Sequence, residues 1–207
     1  MRYRAQAEAI IRCFRSDPST NSLMQLSKEP EFASRSVFEP GIAGPFRKYF
    51  RSMKNYQQSF YWEDVELGGS RGGVRCESLE QLSYKNETFD LVISSDILEH
   101  VRKPMLAFAE IYRVLRPGGV HIFSIPVEYP MPAQTIARVD VTGEVDVHLL
   151  PEHYHGDGAG GKSLVYNDFG ADVIRQLNHM GYMCETERPR PGCPEAGKML
   201  TFLSWKM

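Results

Sequence analysis

The 207-residue sequence predicts an α/β domain built on a largely parallel central sheet with helices on both faces. Three observations carry that expectation. Short apolar runs alternate with helical patterns along most of the chain. Residues 89–94 form a nearly continuous apolar run, as a strand covered on both faces requires. The last two strand-like segments, 182–189 and 198–207, have no helix between them and are expected to pair antiparallel.

Taken in order, residues 1–14 place Ala7, Ile10, Ile11 and Phe14 on one helical face. A polar, proline-broken connector follows, with one short helix expected around 22–26, so that 1–35 form an N-terminal helical cap. Residues 36–41 read as a strand stopped at Pro40-Gly41, and Pro45 suits the first turn of the next helix. The aromatic run at 58–64 is strand-like and ends in two acids; 73–82 is another strand or strand end. From Pro104 a helix carries Phe108, Ile111, Tyr112 and Leu115 on one stripe, and 116–119 (RPGG) should end it. The strand 120–126 comes next. A last helix is expected to have its cap at Asn167, apolar positions at Val173, Leu177 and Met180, and its stop at Gly181.

Bulk properties narrow the function. The chain has 42% apolar and 24% charged residues and a formal net charge of −2, which gives no general attraction to nucleic acid or to an anionic membrane. No apolar run reaches a membrane-span length, and the first residues lack the long apolar centre of a secretory signal. The four cysteines, Cys13, Cys76, Cys184 and Cys193, form no CxxC pair and read as free thiols in a reducing cytoplasm. One domain, 1–207, is expected.

The stretch FDLVISSDILEHV (89–101) raises a chemical question, because a buried strand runs directly into Asp96, Glu99 and His100. In a parallel sheet, ligands sit beyond the carboxyl ends of the strands, which is where these polar groups fall. The run 84–126, with FDLV at 89–92, LEHV at 98–101 and E-I-x-R-V-L-R-P-G-G at 110–119, resembles the class I S-adenosylmethionine-dependent methyltransferases. The resemblance extends more loosely to 36–82 and to the closing strands. It implies a Rossmann-like seven-stranded sheet with the last strand inserted antiparallel, and S-adenosylmethionine as cofactor.

The first glycine motif departs from that pattern. EPGIAGPF (39–46) keeps the acid, Glu39, and the first glycine, Gly41. Ala43 and Pro45 stand where the other glycines belong, with Gly44 between them. By the resemblance, Glu39 and Gly41 hold the methionine end of the cofactor. Glu63 or Asp64 takes the ribose hydroxyls, and Tyr61 or Trp62 either stacks on the nucleoside or packs in the core. Glu77 lies near the adenine amino group, with Ser78 and Leu79 beside it, and Ser94, Ser95 and Asp96 meet the amino-acid moiety or the reacting centre. Nicotinamide chemistry is disfavoured, since no G-x-G-x-x-G is present.

A methyl acceptor that must lose a proton calls for a base. His100 is one candidate, with a structural role at the next helix start as its alternative. Another lies in the long segment 127–166, read as an inserted acceptor or lid region, where His148, His153 and His155 fall close together beside Tyr154 and Asp157. His155 or His153 is the expected base. His153, His155 and Asp157, with His148, also alternate as a metal set would, or describe a solvated loop. The expectation is a cytoplasmic enzyme that methylates a small-molecule or sugar acceptor at oxygen, with no metal assigned. A catalytically silent binding module of the same fold and a metal-dependent enzyme on the histidine segment are the alternatives. Neither the acceptor nor the oligomeric state is written in the sequence.

Overall fold

The computed structural model describes residues 2–128, 130–156, 160–187 and 200–207. The chain opens with α1 (Arg2–Phe14), α2 (Leu23–Leu26) and α3 (Pro30–Ala33), followed by β1 (Val37–Pro40), α4 (Arg47–Phe50) and β2 (Tyr56–Phe60). Then come β3 (Ser70–Arg71), β4 (Val74–Cys76), β5 (Phe89–Ser95), a 3-10 turn at Leu98–His100, α5 (Pro104–Val114) and β6 (Leu115–Ser124). Short strands β7 (Ile136–Ala137), β8 (Val139–Asp140), β9 (Val147–His148), β10 (Tyr154–Gly156), β11 (Lys162–Leu164) and β12 (Asn167–Asp168) precede α6 (Asp172–His179), β13 (Tyr182–Glu187) and β14 (Thr201–Lys206).

The central sheet has the order β13-β14-β6-β5-β1-β2-β4-β3. β6, β5, β1, β2 and β4 are parallel to their neighbours in that series, and β14 runs antiparallel between β6 and β13. The α/β class, the parallel centre and the antiparallel C-terminal pair are as expected. Among the described residues the sheet has eight strands where seven were expected, because the two-residue β3 adds an antiparallel edge to β4.

Two-residue periodicity sorts the strand side chains between two cores. Phe38, Phe89, Val92, Phe123 and Phe202 face α5 and α6 with Phe108, Ile111, Val173 and Leu177. Val37, Leu91, Ile93, Val120, Ile122 and Leu203 face α1–α4 with Ile10, Leu26, Phe32 and Phe50. The stretch 89–94 is nearly continuously apolar, broken by the half-buried Asp90, because both of its faces are covered.

Some local expectations need correction. α5 stops at Val114, and Leu115 already pairs with Phe89, so Leu115 belongs to β6 and not to the helical stripe. Residues 116–119 bulge out before Val120 meets Leu91, and they do this within the strand rather than before it. Gly119 permits that course: a Cβ there would sit 2.9 Å from the Arg116 carbonyl and 3.2 Å from that of Asp90. Asn167 does not cap the last helix. It pairs with Ala137 in β12, and α6 begins five residues later at Asp172, whose Oδ1 accepts from the amide and hydroxyl of Thr135. The strand expected at 73–82 is confined to β4, and 77–82 form a turn closed by a Ser78–Gln81 bridge.

Candidate functional site

A cleft of about 640 Å³ lies at the carboxyl ends of β1, β2 and β4, roofed by the turn after β5. Its walls include Gly41, Tyr61, Glu63, Glu77–Glu80, Ile97, His100 and Arg102, with Ser163 and Tyr166 contributed by the 127–166 segment. β1 and β5 are neighbours in the sheet although three strands separate them in sequence, so the cleft sits at the reversal of strand order, where open α/β sheets take ligands.

Gly41 sits directly after β1 with φ +92°, a left-handed backbone that side chains rarely adopt. Its amide donates to the Ser59 carbonyl (2.8 Å), and a Cβ would come 3.0 Å from Ile97 Cδ1. The turn therefore needs glycine for both its dihedral and its close approach. Glu39 is not among the residues that line the cleft. Its carboxylate is 3% exposed, accepts a hydrogen bond from the Tyr56 hydroxyl at 2.5 Å, and lies where any side chain at Gly44 would collide with it. Burial pushes the Glu39 carboxyl up to about 7, against the downward pull of Tyr56 and of the Arg47 charge. Gly44 thus serves to seat Glu39.

The acids after β2 divide. Glu63 lines the cleft, as does the half-exposed Tyr61. Asp64 instead bonds Arg71 (2.6 Å), whose guanidinium lies over the Trp62 ring. Glu77 borders the cleft, but its carboxylate is held: Arg75 Nε donates at 2.5 Å, and the Ser83 amide and hydroxyl donate at 2.8 and 2.5 Å. Ser78 and Leu79 line the cleft beside it.

The tip of β5 is spoken for by the protein. Buried Gln6 of α1 donates from Nε2 to the Ser94 carbonyl (2.8 Å) and accepts at Oε1 from the Ser95 hydroxyl (2.7 Å). The Ser94 hydroxyl meets His121 Nε2 at 2.8 Å. Asp96 adopts φ +49°, bonds the Ser124 carbonyl through its amide (3.0 Å) and accepts from the Ser124 hydroxyl (2.6 Å). The cleft is bounded beyond these residues, by Ile97 to Arg102.

The structure brings His100, His153 and His155 together. The His100 and His155 rings meet edge-on with centroids 5.0 Å apart, and those of His153 and His155 at 4.8 Å. Buried Glu99 faces both rings, its Oε1 3.6 Å from His100 Nε2 and 3.7 Å from His155 Nδ1. His148 is elsewhere, on β9, with Glu152 at 3.6 Å, and Asp157 lies outside the described residues. On the far side of Glu99 is a second hollow of about 290 Å³, whose walls include Glu99, Glu128, Arg138, His153, His155 and Asp168. Arg102 fastens the 127–166 segment to the turn after β5 through Asp146 (2.5 Å), and Arg138, within the segment, holds Asp168 of β12 (2.7 Å).

Sequence reasoning missed Arg102 and Tyr166 as site residues, and placed Ile97 and Glu99 at the ligand end of the strand without giving them a role. Glu99 had a signal, since an acid inside an otherwise buried turn beside a histidine is unusual. Tyr166 had none, because only the tertiary path of the segment brings it to the cleft.

Comparison with known proteins agrees with this geometry. A family model described as a methyltransferase domain matches residues 51–123. An S-adenosylmethionine-dependent methyltransferase from Listeria monocytogenes superposes with TM-score 0.55 at 18% identity, covering 86% of this chain and 94% of that one. One from Mesorhizobium loti gives 0.54 at 19%, with the same coverage. The fold is that of the class I methyltransferases. Among curated relatives, a ubiquinone biosynthesis O-methyltransferase of Parvibaculum lavamentivorans is 39% identical over 46 residues, 22% of this chain and 18% of that protein. A malonyl-[acyl-carrier protein] O-methyltransferase of Marinomonas sp. is 33% identical over 73 residues, 35% and 27% respectively. The chain spans between 18% and 36% of the curated relatives it matches. No helix among the described residues is long and apolar enough to cross a membrane.

Proposed function

We propose that this methyltransferase-fold chain binds S-adenosylmethionine in the 640 Å³ cleft and transfers its methyl group to an oxygen of a small-molecule or sugar acceptor. The observation that carries the reading is the cleft itself. The glycine turn after β1, the aromatic-acidic end of β2 and the Glu77–Leu79 turn converge on one hollow at the strand-order reversal. Gly41 leaves room for close backbone approach by the amino-acid end, Tyr61 and Glu63 suit the sugar, and Ser78 and Leu79 border the base. Glu39, Gly44, Glu77, Ser94, Ser95 and Asp96 then act mainly by shaping these walls.

The sulfonium methyl is already activated, so the protein's task is alignment and exclusion of water, which supplies roughly 7–11 kcal/mol. An oxygen acceptor held in the second hollow would meet His153 and His155 there as proton acceptors, whereas both ring nitrogens of His100 face protein groups, the Leu164 carbonyl and Glu99. Calorimetric titration with S-adenosylhomocysteine tests the cofactor assignment; absence of binding at high micromolar ligand removes it. His155→Ala should retain that affinity and lower turnover with any acceptor identified by radiolabelled methyl incorporation.

One observation favours a second reading, a binding module of this fold without transfer. The motif acid Glu39 is engaged by Tyr56 and by the altered glycine turn rather than presented to the cleft. The same titration separates the two, because the second reading expects no homocysteine-nucleoside binding.

A further inference from the structure

Glu99 presents a physical problem that methyl transfer does not solve. It is 1% exposed, and among the described residues neither of its carboxylate oxygens has a hydrogen-bond partner. A buried carboxylate is costly unless a donor or a cation meets it. What faces it are two ring nitrogens: His100 Nε2 at 3.6 Å and His155 Nδ1 at 3.7 Å, both measured to Oε1.

The tautomer of His100 sharpens the problem. Its Nδ1 lies 2.8 Å from the Leu164 carbonyl, an oxygen that can only accept, so Nδ1 carries the hydrogen. In a neutral ring, Nε2 is then a bare lone pair aimed at a bare carboxylate, and something positive belongs between them. A ring N–H donated to a backbone carbonyl is also the usual way that a metal-ligating histidine is oriented.

We propose that Glu99, His100 and His155 form a binding site for a divalent transition-metal ion of the zinc type, in the wall between the cleft and the second hollow. Two imidazoles and one carboxylate with a position left open is a ligand set of catalytic zinc centres. With bonds of about 2.0–2.1 Å, tetrahedral ligand atoms lie about 3.4 Å apart. The two measured separations exceed that by a few tenths of an ångström, and all three ligand atoms lie within 4.8 Å of one another. Mixed nitrogen and oxygen donors suit zinc, cobalt or nickel better than magnesium. His100 borders the cleft, while Glu99 and His155 border the second hollow, so the open position falls between them and suits an oxygen-bearing ligand. The metal site stands independently of the methyl-transfer reading; only the assignment of its open position to the methyl acceptor rests on that reading.

The test uses the full chain stripped of metal by a chelator and titrated with zinc calorimetrically, and with cobalt by visible absorption. Binding of about one ion per chain is expected, with the intense cobalt spectrum of a four-coordinate site. Glu99→Gln keeps side-chain size, and His155→Ala alters a strand of a peripheral hairpin; each should weaken zinc binding by at least about tenfold. Failure to bind zinc at hundreds of micromolar overturns the proposal. So does undiminished affinity in both variants, which would place the ion elsewhere. Parallel titrations with S-adenosylhomocysteine keep the two readings apart, since loss of nucleoside binding with zinc binding intact counts only against the cofactor assignment.

Discussion

The Tyr56 hydroxyl on β2 donates a 2.5 Å hydrogen bond to the buried Glu39 carboxylate on the adjacent parallel strand β1. The pair shows how the variant glycine turn works. The acid is turned inward beneath Gly44, and Gly41 alone takes the left-handed corner. Burial holds the Glu39 carboxyl at about 7, above its ordinary 4.5. A folded value above the unfolded one contributes stability that is complete below pH 4.5 and lost as pH rises through about 7. Glu39→Gln, which cannot ionise, should therefore be more stable than the parent above neutrality, by up to about 3 kcal/mol, with the gain vanishing in acid. Urea unfolding on both sides of pH 7 measures it. A variant equally destabilised at every pH would show that Glu39 is not the group that titrates.

His121 gives the opposite dependence. It is fully buried on β6, stacked on Phe123, with Nε2 against the Ser94 hydroxyl, and burial lowers its pKa from 6.5 to about 3. Between those values the unfolded chain binds a proton that the folded chain refuses. Stability is therefore kept above pH 6.5 and falls as the solution is acidified towards 3, by up to roughly 1.4 kcal/mol per pH unit from this group. His121→Gln retains a polar partner for Ser94 and removes the titration. Its unfolding free energy should show a shallower acid slope than that of the parent, and an unchanged slope would assign acid sensitivity to other groups.

Gly41→Ala tests the turn over the cleft. The substitution places a side chain on a φ of +92° and 3.0 Å from Ile97 Cδ1. The backbone term costs about 1–2 kcal/mol, and displacement of Ile97 distorts the wall of the cleft. Stability should drop by that amount, and S-adenosylhomocysteine affinity should fall further than stability alone explains. Isothermal titration on the folded variant measures the second effect, and unchanged affinity would move the ligand away from this turn.

Much of this architecture was legible in the sequence because strands and amphipathic helices announce themselves by period. The run 89–94 reads as a doubly covered strand and proves to be one, and residues 84–126 carry the resemblance that the fold upholds. What was not legible depends on tertiary partners. Ser94 and Ser95 look like cleft residues from their place at a strand end, yet Gln6, nearly ninety positions earlier, satisfies both. Glu77 reads, by the resemblance, as an acid near the adenine amino group, and Arg75 and Ser83 claim its carboxylate because the chain turns back at 77–82. Helix and strand ends also slipped at 115 and 167, where one apolar or polar residue fits either element and long-range pairing decides. His153 and His155 could be singled out by composition. The approach of His155 to Glu99 requires the fold of the 127–166 segment.

Gln6 tests whether the α1 contact is structural or merely adjacent. Its amide is fully buried and answers two groups at the tip of β5, the Ser94 carbonyl and the Ser95 hydroxyl. Gln6→Leu keeps the volume and leaves both groups without that partner. The expected cost is about 2–4 kcal/mol, since each buried polar group left unpaired costs about 1–3 kcal/mol. Ser95→Ala removes one of the two groups, so the double variant should lose less than the sum of the single variants. A thermal or urea double-mutant cycle reads the difference, and strict additivity would mean that the Gln6–Ser95 bond contributes nothing.

Arg102 and Asp146 tie the cleft to the segment that overhangs it. Arg102 borders the cleft and donates from Nε and Nη2 to Asp146, at 2.8, 3.1 and 2.5 Å, across forty-four residues of sequence. The Arg102 charge holds the Asp146 carboxyl below the ordinary range, chiefly through these hydrogen bonds. Both groups are partly solvated, so the tie should weaken in salt. Asp146→Asn keeps the shape and removes the charge. The expected result is a few-fold faster dissociation of S-adenosylhomocysteine with little change in global stability, and a parent whose dissociation rate rises with ionic strength towards that of the variant. Stopped-flow dissociation at low and high salt measures both. If the two proteins release ligand at the same rate and respond to salt alike, the segment closes over the cleft through its hydrogen bonds to the turn after β5, Tyr166 amide to Glu99 carbonyl and Leu164 carbonyl to His100, and not through this ion pair.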